Sequence, residues 1–193
     1  DNGAILDRRD GPDGILSVKD GAFEPVLARF VADWRKMHGA LPIFMSGMIG
    51  SRQGWREAPY VRCPAPLDAL ASNLARIETQ NLGEIVIVPG IDTIGFAGIP
   101  DVMRGEETQI LGALALAKRE SGLYVLPGTH SKWVTAERGA ITSFRTFMTG
   151  EAFAALKDHT ILGRLADQNA AASPGAFRRG VETGARDGAP GAL

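Results

Sequence analysis

The sequence predicts an α/β protein with mixed sheets flanked by helices, and three observations carry that prediction. Short apolar segments of strand length alternate with longer amphipathic segments of helical spacing. The strand segments are apolar throughout, which is typical of strands covered on both faces. A hairpin pattern over residues 132–147 adds antiparallel pairing. The 24 glycines and 11 prolines fall mostly between these segments, which predicts functional turns.

The clearest helix is predicted over residues 21–38, where apolar residues recur at helical spacing on one face. They are Phe23, Val26, Leu27, Phe30, Val31 and Trp34. Short buried strands are predicted at Leu41–Met45 and at Glu84–Val88, which Pro89-Gly90 stops. Between them, a second helix is predicted near 66–79 from the spacing of Leu67, Leu70, Leu74 and Ile77. An Ala- and Leu-rich segment predicts a third helix over 106–119.

The later part of the chain is predicted to form a strand at Leu123–Leu126 and then a hairpin. The hairpin strands are Trp133–Ala136 and Ile141–Phe147, and helices follow near 149–166 and 174–186. Ligands of open α/β sheets gather beyond the carboxyl ends of strands. Three loops with glycines and polar groups stand at such ends and are the candidate functional sites: 46–57, 89–109 and 127–133.

Both ends of the chain are unusual for a complete fold. Asn2-Gly3 is a strong signal for a two-residue hairpin turn and precedes a predicted strand at residues 4–9, yet no strand stands before it. The opposite end stops just beyond a helix, at Gly188–Leu193. We therefore expect truncation at both ends, and the alternative is a flexible natural terminus at each.

Charge and composition exclude several classes of function. The net charge is -1 and no basic stripe is visible, so no nucleic-acid partner is expected. No apolar run approaches the ~20 residues of a membrane span. The single Cys63 excludes an internal disulfide, and no Cys/His cluster is present to hold a metal. These features predict a protein of the reducing cytoplasm without a metal site of its own.

The segment LPGTHSKWV at 126–134 places a Gly-rich turn and several donors after a predicted strand. Backbone amides of such a turn form an anion nest, which the hydroxyls of Thr129 and Ser131 would extend. Lys132 would add a positive charge. The segment is not a Walker A loop, because a strand rather than a helix follows it. The alternative is an ordinary corner before a hairpin, with His130 satisfied by a carbonyl.

Two adjacent carboxylates, Glu106 and Glu107, open the third predicted helix directly after Gly105. Acidic residues in a first helical turn usually serve capping and the helix dipole. The functional alternative is a carboxylate that accepts a hydroxyl proton or orients a magnesium ion. Neighbouring helical residues point about 100° apart, so we expect only one of the two to face a ligand.

The loop SGMIGSRQGW at 46–55 suits a small hydroxylated acid. Its glycines allow the backbone to approach a ligand closely. Arg52 can pair with a carboxylate, and Ser51 and Gln53 can bond hydroxyl groups. Trp55 could form an apolar wall. The alternative is a long surface loop that Trp55 anchors to the core.

Four segments together resemble the 2-keto-3-deoxygalactonate kinase family, in that family's order. They are MSGMIGSRQGWREAPYV at 45–61, PDVMRGEETQILGAL at 100–114, LPGTHSKWV at 126–134 and FMTGEAFAAL at 147–156. The resemblance covers nearly the whole chain. The family belongs to the sugar kinase, hexokinase and actin-like ATPase superfamily, which implies a ribonuclease H-like fold of two lobes. On that basis residues 1–108 would be most of the sugar-binding lobe, and 109–193 the beginning of the nucleotide-phosphate-binding lobe.

The resemblance also implies a reaction, namely transfer of the ATP γ-phosphoryl group to the 6-hydroxyl of 2-keto-3-deoxy-D-galactonate with Mg²⁺. Glu106 would accept the hydroxyl proton, with Glu107 as the alternate, because related kinases place an aspartate after the glycine and this chain has two glutamates. Phosphate contacts and substrate contacts are implied for two further sets of residues. The first set is Gly128, Thr129, His130, Ser131 and Lys132, and the second is Gly50, Ser51, Arg52, Gln53, Trp55 and Arg104.

The chain departs from the superfamily pattern in lacking the first strand with its Asp-x-Gly-Thr phosphate turn and the later adenosine-binding segment. The parent protein is therefore expected to be a kinase, and this piece to be weakly active or inactive. Two alternatives stay open: a non-catalytic sugar-acid-binding fragment, and a phosphatase of the same superfamily. The sequence leaves a homo-oligomer open and does not fix the stereochemistry of the sugar acid.

Overall fold

Six α-helices and ten β-strands form in the computed structural model, which describes residues 4–95, 98–164 and 171–192. The helices span Phe23–His38 (α1), Leu67–Ala71 (α2), Glu106–Ala117 (α3), Thr149–His159 (α4), Ile161–Arg164 (α5) and Pro174–Ala192 (α6). The strands span Ile43–Met45 (β1), Tyr60–Arg62 (β2), Ala65–Pro66 (β3), Ala75–Glu78 (β4), Glu84–Ile87 (β5), Gly90–Ile94 (β6), Pro100–Met103 (β7), Gly122–Leu126 (β8), Ser131–Glu137 (β9) and Ala140–Phe147 (β10). The predicted α/β class, with mixed sheets flanked by helices, is confirmed. The predicted Asn2-Gly3 turn lies outside the described residues.

The strands form three sheets, and two of them combine parallel with antiparallel pairs. The first sheet has the order β1-β5-β4, with β1 parallel and β4 antiparallel to β5. The second has the order β2-β6-β7, with β2 parallel and β7 antiparallel to β6. The third has the order β3-β10-β9-β8. Strand β7 therefore ends the second sheet and leads directly into α3.

The main core lies where α3 packs against the second and third sheets. Apolar side chains from these elements and from α2 are almost fully removed from water, and this burial is the main force that holds the sheets and the helices together. They are Ala65, Leu70, Ile91, Met103, Ile110, Leu111, Leu114, Val134, Ala136, Ile141 and Phe144. A smaller cluster centred on Ile49, Ala58 and Ile87 packs beside Phe23 of α1 and Trp55. Each core thus supports one of the predicted functional loops.

The chain divides into two compact units. The first contains the chain up to Leu126 together with Lys132–Phe147, and therefore holds all three sheets apart from the first residue of β9. The second contains Pro127–Ser131 and the chain from Met148 onward, including α4, α5 and α6. The assignment of 1–108 and 109–193 to two lobes of a kinase stays a prediction.

The predicted helix near 66–79 is wrong beyond Ala71. The hydroxyl of Ser72 donates to the carbonyl of Asp68, and the side-chain amide of Asn73 donates to the carbonyl of Ala69, which ends α2. The chain then forms β4, which pairs with β5. Half-buried and exposed residues alternate along β4. The apolar spacing of this segment was compatible with the helical repeat and with the two-residue repeat of a strand, and pairing with β5 decided for the strand.

Two further predictions need correction. Residues 89–109 were expected as a loop, but they form β6 and β7 before the short segment that enters α3. Residues 4–9 form no strand, and Ile5 and Leu6 are 84% and 86% exposed. A strand requires a partner, and none of the described strands pairs with these residues. The presence of a partner strand decided both outcomes, since β6 and β7 pair with each other as neighbours in the sequence.

The remaining elements follow the sequence closely. The helices at 21–38 and 106–119 and the strands at 41–45, 84–88 and 123–126 form with bounds shifted by a few residues. The predicted hairpin is present, and its turn residues Arg138 and Gly139 have φ of 53° and 76°. Two positive φ values are typical of the turn that matches the twist of hairpin strands. The helix predicted over 149–166 breaks at Thr160 into α4 and α5, and residues 165–166 lie outside the residues that the structure describes.

Candidate functional site

Two of the predicted loops meet through a pair of glycines in the first unit. Gly47 lies in the 46–55 loop with φ of +86°, and Gly105 precedes α3 with φ of +110°. A Cβ atom built on Gly105 would lie 3.0 Å from the Cα of Gly47. A side chain at either position would be strained by the positive φ, and a side chain at Gly105 would also crowd the backbone of Gly47. The two segments are therefore in direct backbone contact.

Arg104 occupies the centre of this junction. Its Nη2 donates to the carbonyl of Ala58 at 2.8 Å, and its guanidinium carbon lies 4.2 Å from the ring centroid of Tyr60. Gly50 leaves room for the head group, since a Cβ there would lie 3.0 Å from Nη1. We call Gly50, Ala58, Tyr60 and Arg104 the Arg104 cluster. It holds a positive charge in one place by stacking and by one hydrogen bond.

The Arg104 head group is incompletely paired. Its Nε and Nη1 atoms are buried and have no hydrogen-bond partner among the described residues. A buried donor without an acceptor costs about 1–3 kcal/mol relative to its state in water. None of the ion pairs found among the described residues includes Arg104. Two donors of the cluster therefore lie buried without an acceptor in the part of the chain that the structure describes.

Glu106 and Glu107 both bond backbone groups that precede α3. Glu107 is fully buried, and its two carboxylate oxygens accept from the N–H of Gly105 at 2.8 and 2.7 Å. Burial raises the pKa of Glu107 above its ordinary value. Glu106 is only half-buried and accepts from the N–H of Arg104 at 3.1 Å. Both carboxylates thus bond N–H groups of residues that precede the helix, and only Glu106 is partly exposed to solvent.

The other predicted substrate residues of the 46–55 loop hold the loop itself. Ser51 donates its hydroxyl to the carbonyl of Met48 at 2.8 Å and accepts from the N–H of Gln53 at 3.2 Å. Arg52 is 87% exposed and pairs with Glu57. The Gln53 residue is exposed. Exposed pairs of this kind contribute little free energy, so Arg52 is not preorganised.

Trp55 packs into the protein instead of lining an open site. Its ring stacks on Phe23 of α1 with centroids 5.9 Å apart, and its backbone N–H donates to the carbonyl of Ile49 at 2.9 Å. It also borders an apolar cavity of about 210 Å³ beside α1. The alternative of a loop anchored by Trp55 therefore matches its contacts.

The predicted phosphate turn, residues 127–131, lies in the second unit. Gly128, Thr129 and His130 are exposed, while Ser131 is buried. The Ser131 hydroxyl contacts that of Thr149, the first residue of α4, and accepts weakly from the N–H of Gly128 at 3.5 Å. The three exposed residues are therefore available to a ligand, and Ser131 shapes the turn.

The start of α4 packs directly against this turn. A Cβ atom on Gly150 would lie 2.5 Å from the carbonyl oxygen of Gly128, so only glycine fits there. The N–H of Glu151 donates to the carbonyl of Thr129 at 3.1 Å, and its carboxylate lies 2.6 Å from Nε2 of His130. The first turn of a helix presents N–H groups and a partial positive charge that favour anions. In α4 the N–H of Glu151 is already bonded to Thr129, and the Glu151 carboxylate adds negative charge beside His130.

Lys132, the last residue of the predicted phosphate set, belongs to the first unit. Its side chain is 7% exposed. Its Nζ donates to the carbonyl of Val102 at 2.5 Å and to the hydroxyl of Thr146 at 2.7 Å. The carboxylate of Asp101 lies 3.8 Å away. The ammonium group is thus bonded to protein partners. The sequence predicted a phosphate contact for Lys132 and did not anticipate these partners.

Several residues of these clusters were not singled out from the sequence. Tyr60, Thr149 and Gly150 lie inside the segments that carry the family resemblance, and that signal could have found them. Asp101 and Thr146 bond each other across 45 positions of the chain. No local pattern reports a contact of that range, so only the fold reveals it.

The described residues contain no group of three or more His, Cys, Asp or Glu side chains that could hold a metal ion. Within the same part of the chain, no helix has the length and apolar character needed to cross a membrane. A cavity of about 590 Å³ runs along α1 and β1. Its lining is mostly apolar, which does not suit a charged sugar acid.

Comparisons with known proteins give consistent results. A family profile described as 2-keto-3-deoxy-galactonokinase matches residues 1–192. The 2-dehydro-3-deoxygalactonokinase of Escherichia coli (strain K12) is 39% identical over 180 residues, which is 93% of this chain and 58% of that protein. The protein named Probable 2-dehydro-3-deoxygalactonokinase DgoK1, of Rhizobium meliloti (strain 1021), is 41% identical over 163 residues, 84% of this chain and 52% of that protein.

A crystal structure described as that of "a putative 2-dehydro-3-deoxygalactonokinase protein from Sinorhizobium meliloti" is also similar. Its TM-score is 0.83 with 40% identity, over 96% of this chain and 61% of that chain. The chain therefore spans little more than half the length of the relatives that it matches.

Proposed function

The chain belongs to the 2-keto-3-deoxy-galactonokinase family, and on that premise we propose that it carries the sugar-acid-binding and part of the phosphate-binding machinery of an ATP-dependent kinase. The acceptor would be 2-dehydro-3-deoxy-D-galactonate, phosphorylated at its 6-hydroxyl in galactonate catabolism. The ribonuclease H-like, two-lobed architecture belongs to this proposal. So do ATP as the phosphoryl donor and the cytoplasm as the location.

The Arg104 cluster is the observation that carries the proposal. A sugar acid presents a carboxylate, and a guanidinium fixed by stacking and by one hydrogen bond is suited to bind it. Arg104 has buried donors that no described residue accepts from, and Gly50 and Tyr60 fix the position of its head group. We assign the carboxylate contact to Arg104 and not to Arg52, which is exposed and paired with Glu57.

Glu106 is the proposed acid–base residue. It stands at the first helical position of α3, directly after Gly105, and is half-buried. A general base must reach the proton that it accepts, and the fully buried Glu107 is engaged with Gly105. Glu106 would orient the acceptor hydroxyl and take its proton as the bond to phosphorus forms. Glu107 would hold the start of the helix in place.

The 127–131 turn and the first turn of α4 are the proposed contacts for phosphate. Gly128 and Thr129 are exposed there, and the helix start supplies a favourable partial charge. The N–H and O–H donors present fit phosphate oxygens, and the described residues hold no cluster of three or more acidic, His or Cys side chains for a metal ion. Mg²⁺ usually binds substrate phosphates and keeps several waters. It would therefore fit as an ion bound to ATP, where it neutralises charge on the phosphates.

The test is ADP release by this chain with Mg-ATP, in the presence and absence of 2-keto-3-deoxygalactonate. Weak sugar-dependent release is the expected result, because the chain carries only part of the phosphate-binding machinery and spans little more than half the length of its relatives. Glu106→Gln should lower turnover by about 100- to 10,000-fold, the usual range for loss of a general base, with little change in sugar-acid affinity. Glu107→Gln is the matched control, with the same change one residue along, and should retain most of the turnover.

Other outcomes would select among the alternatives. Sugar-independent ADP release would indicate a hydrolase. Calorimetric binding of the sugar acid without any ADP release would indicate a binding module. A large loss in Glu107→Gln with a small loss in Glu106→Gln would show that the acid–base assignment is reversed. Absence of both binding and ADP release would contradict the proposal for this chain.

A further inference from the structure

Lys132 connects two sheets of the first unit. It stands near the start of β9 in the third sheet, and its Nζ donates to the carbonyl of Val102 in β7 of the second sheet. The hydroxyl of Thr146 in β10 accepts from the same Nζ and donates to Asp101 at 2.6 Å. The N–H of Thr146 also donates to Asp101 at 2.7 Å. Two consecutive residues of β7 are thereby fixed to β9 and β10.

Strand β7 leads without a break into the proposed substrate site. Met103 follows Val102 and is almost fully buried, and Arg104, Gly105 and Glu106 come next. The orientation of Arg104 and Glu106 depends on the path of this strand, because both side chains stand within four residues of Val102. A contact that fixes Val102 therefore acts on both residues through the backbone.

The surroundings of Lys132 do not suit a phosphate ligand. Its side chain is 7% exposed, and its ammonium is bonded to two oxygens with a carboxylate 3.8 Å away. The ring of Phe144 lies 5.7 Å from Nζ and closes another side. To reach a phosphate, the lysine would have to break both hydrogen bonds and leave Asp101 without its cation, which is costly for a partly buried charge.

We propose that Lys132 is a positioning residue, which fixes β7 and through it Arg104 and Glu106, and that it does not contact phosphate. The proposal rests on the proposed function for the role of those two residues. The network itself is independent of any ligand. It also predicts that Asp101 and Thr146 act together with Lys132, since the three side chains form one set of bonds.

The test compares Lys132→Met and Thr146→Val with Lys36→Met, which removes an exposed lysine of α1. Amide hydrogen exchange is followed by mass spectrometry in peptides covering residues 100–107 and, as an internal reference, in β5. Affinities for the sugar acid and for Mg-ATP are measured by calorimetry. Thr146→Val loses only a hydroxyl, so it decides the question even if Lys132→Met does not fold.

Both network variants should speed exchange over 100–107 by about tenfold and leave β5 unchanged. They should weaken sugar-acid binding by about tenfold, and Mg-ATP affinity should stay within about threefold. Where turnover is measurable, kcat should fall while KM for ATP stays. Lys36→Met should change none of these quantities.

Two results would overturn the proposal. The first is a loss of about tenfold in Mg-ATP affinity in Lys132→Met but not in Thr146→Val. That pattern would identify Lys132 as a residue that contacts the phosphates of ATP. The other is unchanged exchange over 100–107 in both variants, because no positioning effect then exists. If the wild-type chain releases no sugar-dependent ADP, the proposed function fails, and the exchange experiment still decides the role of Lys132.

Discussion

The Arg104 cluster and the 127–131 turn differ in how they offer themselves to an anion. The cluster holds a formal charge out of water, and its buried donors lack acceptors among the described residues. The turn is exposed at Gly128, Thr129 and His130, and its attraction for anions comes from N–H groups, hydroxyls and the start of α4. If the cluster binds the sugar-acid carboxylate as proposed, the ligand would supply the missing acceptor. The turn buries no charge, which would suit a ligand that must leave after each turnover.

The largest expected effect concerns the charge of the Arg104 cluster. Arg104→Met should weaken sugar-acid binding by about 10- to 100-fold, because charge-assisted hydrogen bonds to the carboxylate are lost. Its stability should change little, since replacing a buried charge by an apolar side chain of similar length is often tolerated. Calorimetry with 2-keto-3-deoxygalactonate measures the affinity. Arg52→Met is the control and should stay within about twofold; equal effects from both variants would refute the assignment.

The next effect concerns the packing of the turn against α4. Gly150→Ala should destabilise the protein by about 1–3 kcal/mol, because the new methyl group overlaps the backbone of Gly128. Mg-ATP affinity should fall with it if the turn binds phosphate. Urea unfolding and calorimetry measure the two quantities.

Gly180→Ala is the matched control for that variant. Gly180 lies in α6 of the same unit, and a Cβ there meets no atom within 4 Å. Alanine should stabilise this helix by about 0.5–1 kcal/mol. If Gly150→Ala were as stable as Gly180→Ala, the inference that α4 packs too closely against the turn for a side chain at position 150 would be wrong.

The smallest effect is the pH dependence due to Glu107. Burial raises its pKa, so the folded protein holds this proton more tightly than the unfolded chain. The stabilisation that this group contributes is therefore fully present below its ordinary pKa of 4.5. It is lost as the pH rises toward the pKa of Glu107 in the folded protein. Glu107→Gln removes that loss. The variant should gain stability relative to wild type as pH rises from about 4, with a slope of at most about 1.4 kcal/mol per pH unit.

Urea unfolding at several pH values measures this difference. The neutral side-chain amide introduced by Glu107→Gln would still accept from the N–H of Gly105, so the helix start is expected to persist. A difference between the two proteins that is constant with pH would show that burial does not affect the titration of Glu107. A difference that falls with rising pH would reverse the sign of the expected shift.

Periodicity in the sequence was a good guide wherever one local pattern decided the structure. The amphipathic face of α1, the apolar run of β5 and the hairpin β9–β10 all follow from residue spacing and turn chemistry. The segment 66–79 failed because its leucine spacing fits a helix while its last residues fit a strand. Strands β2 and β3 pair with strands far along the chain, and no local pattern reports such pairing. Strands β6 and β7 pair with each other as neighbours in the sequence, and the prediction of a loop over 89–109 missed this local pairing.

The candidate site shows the same division. The glycines and acids of the 46–55 loop and of the segment before α3 were identifiable by residue type and by family resemblance. Which arginine is held in place was not, because Arg52 and Arg104 differ only in their surroundings. The choice depends on Tyr60, Ala58 and Gly50, which reach Arg104 through the fold.

The backbone contact between Gly47 and Gly105 has a consequence for how freely this protein can change its sequence. Exposed positions such as Arg52 and Gln53 can be varied without moving their neighbours, so a library randomised there should retain folded members. Both glycines should be kept, because each has a positive φ and a side chain at Gly105 would crowd the backbone of Gly47. If the proposed site binds a sugar acid, selection for a different one would proceed by exchanging side chains around an unchanged pair of glycines, and not by lengthening or rebuilding either loop.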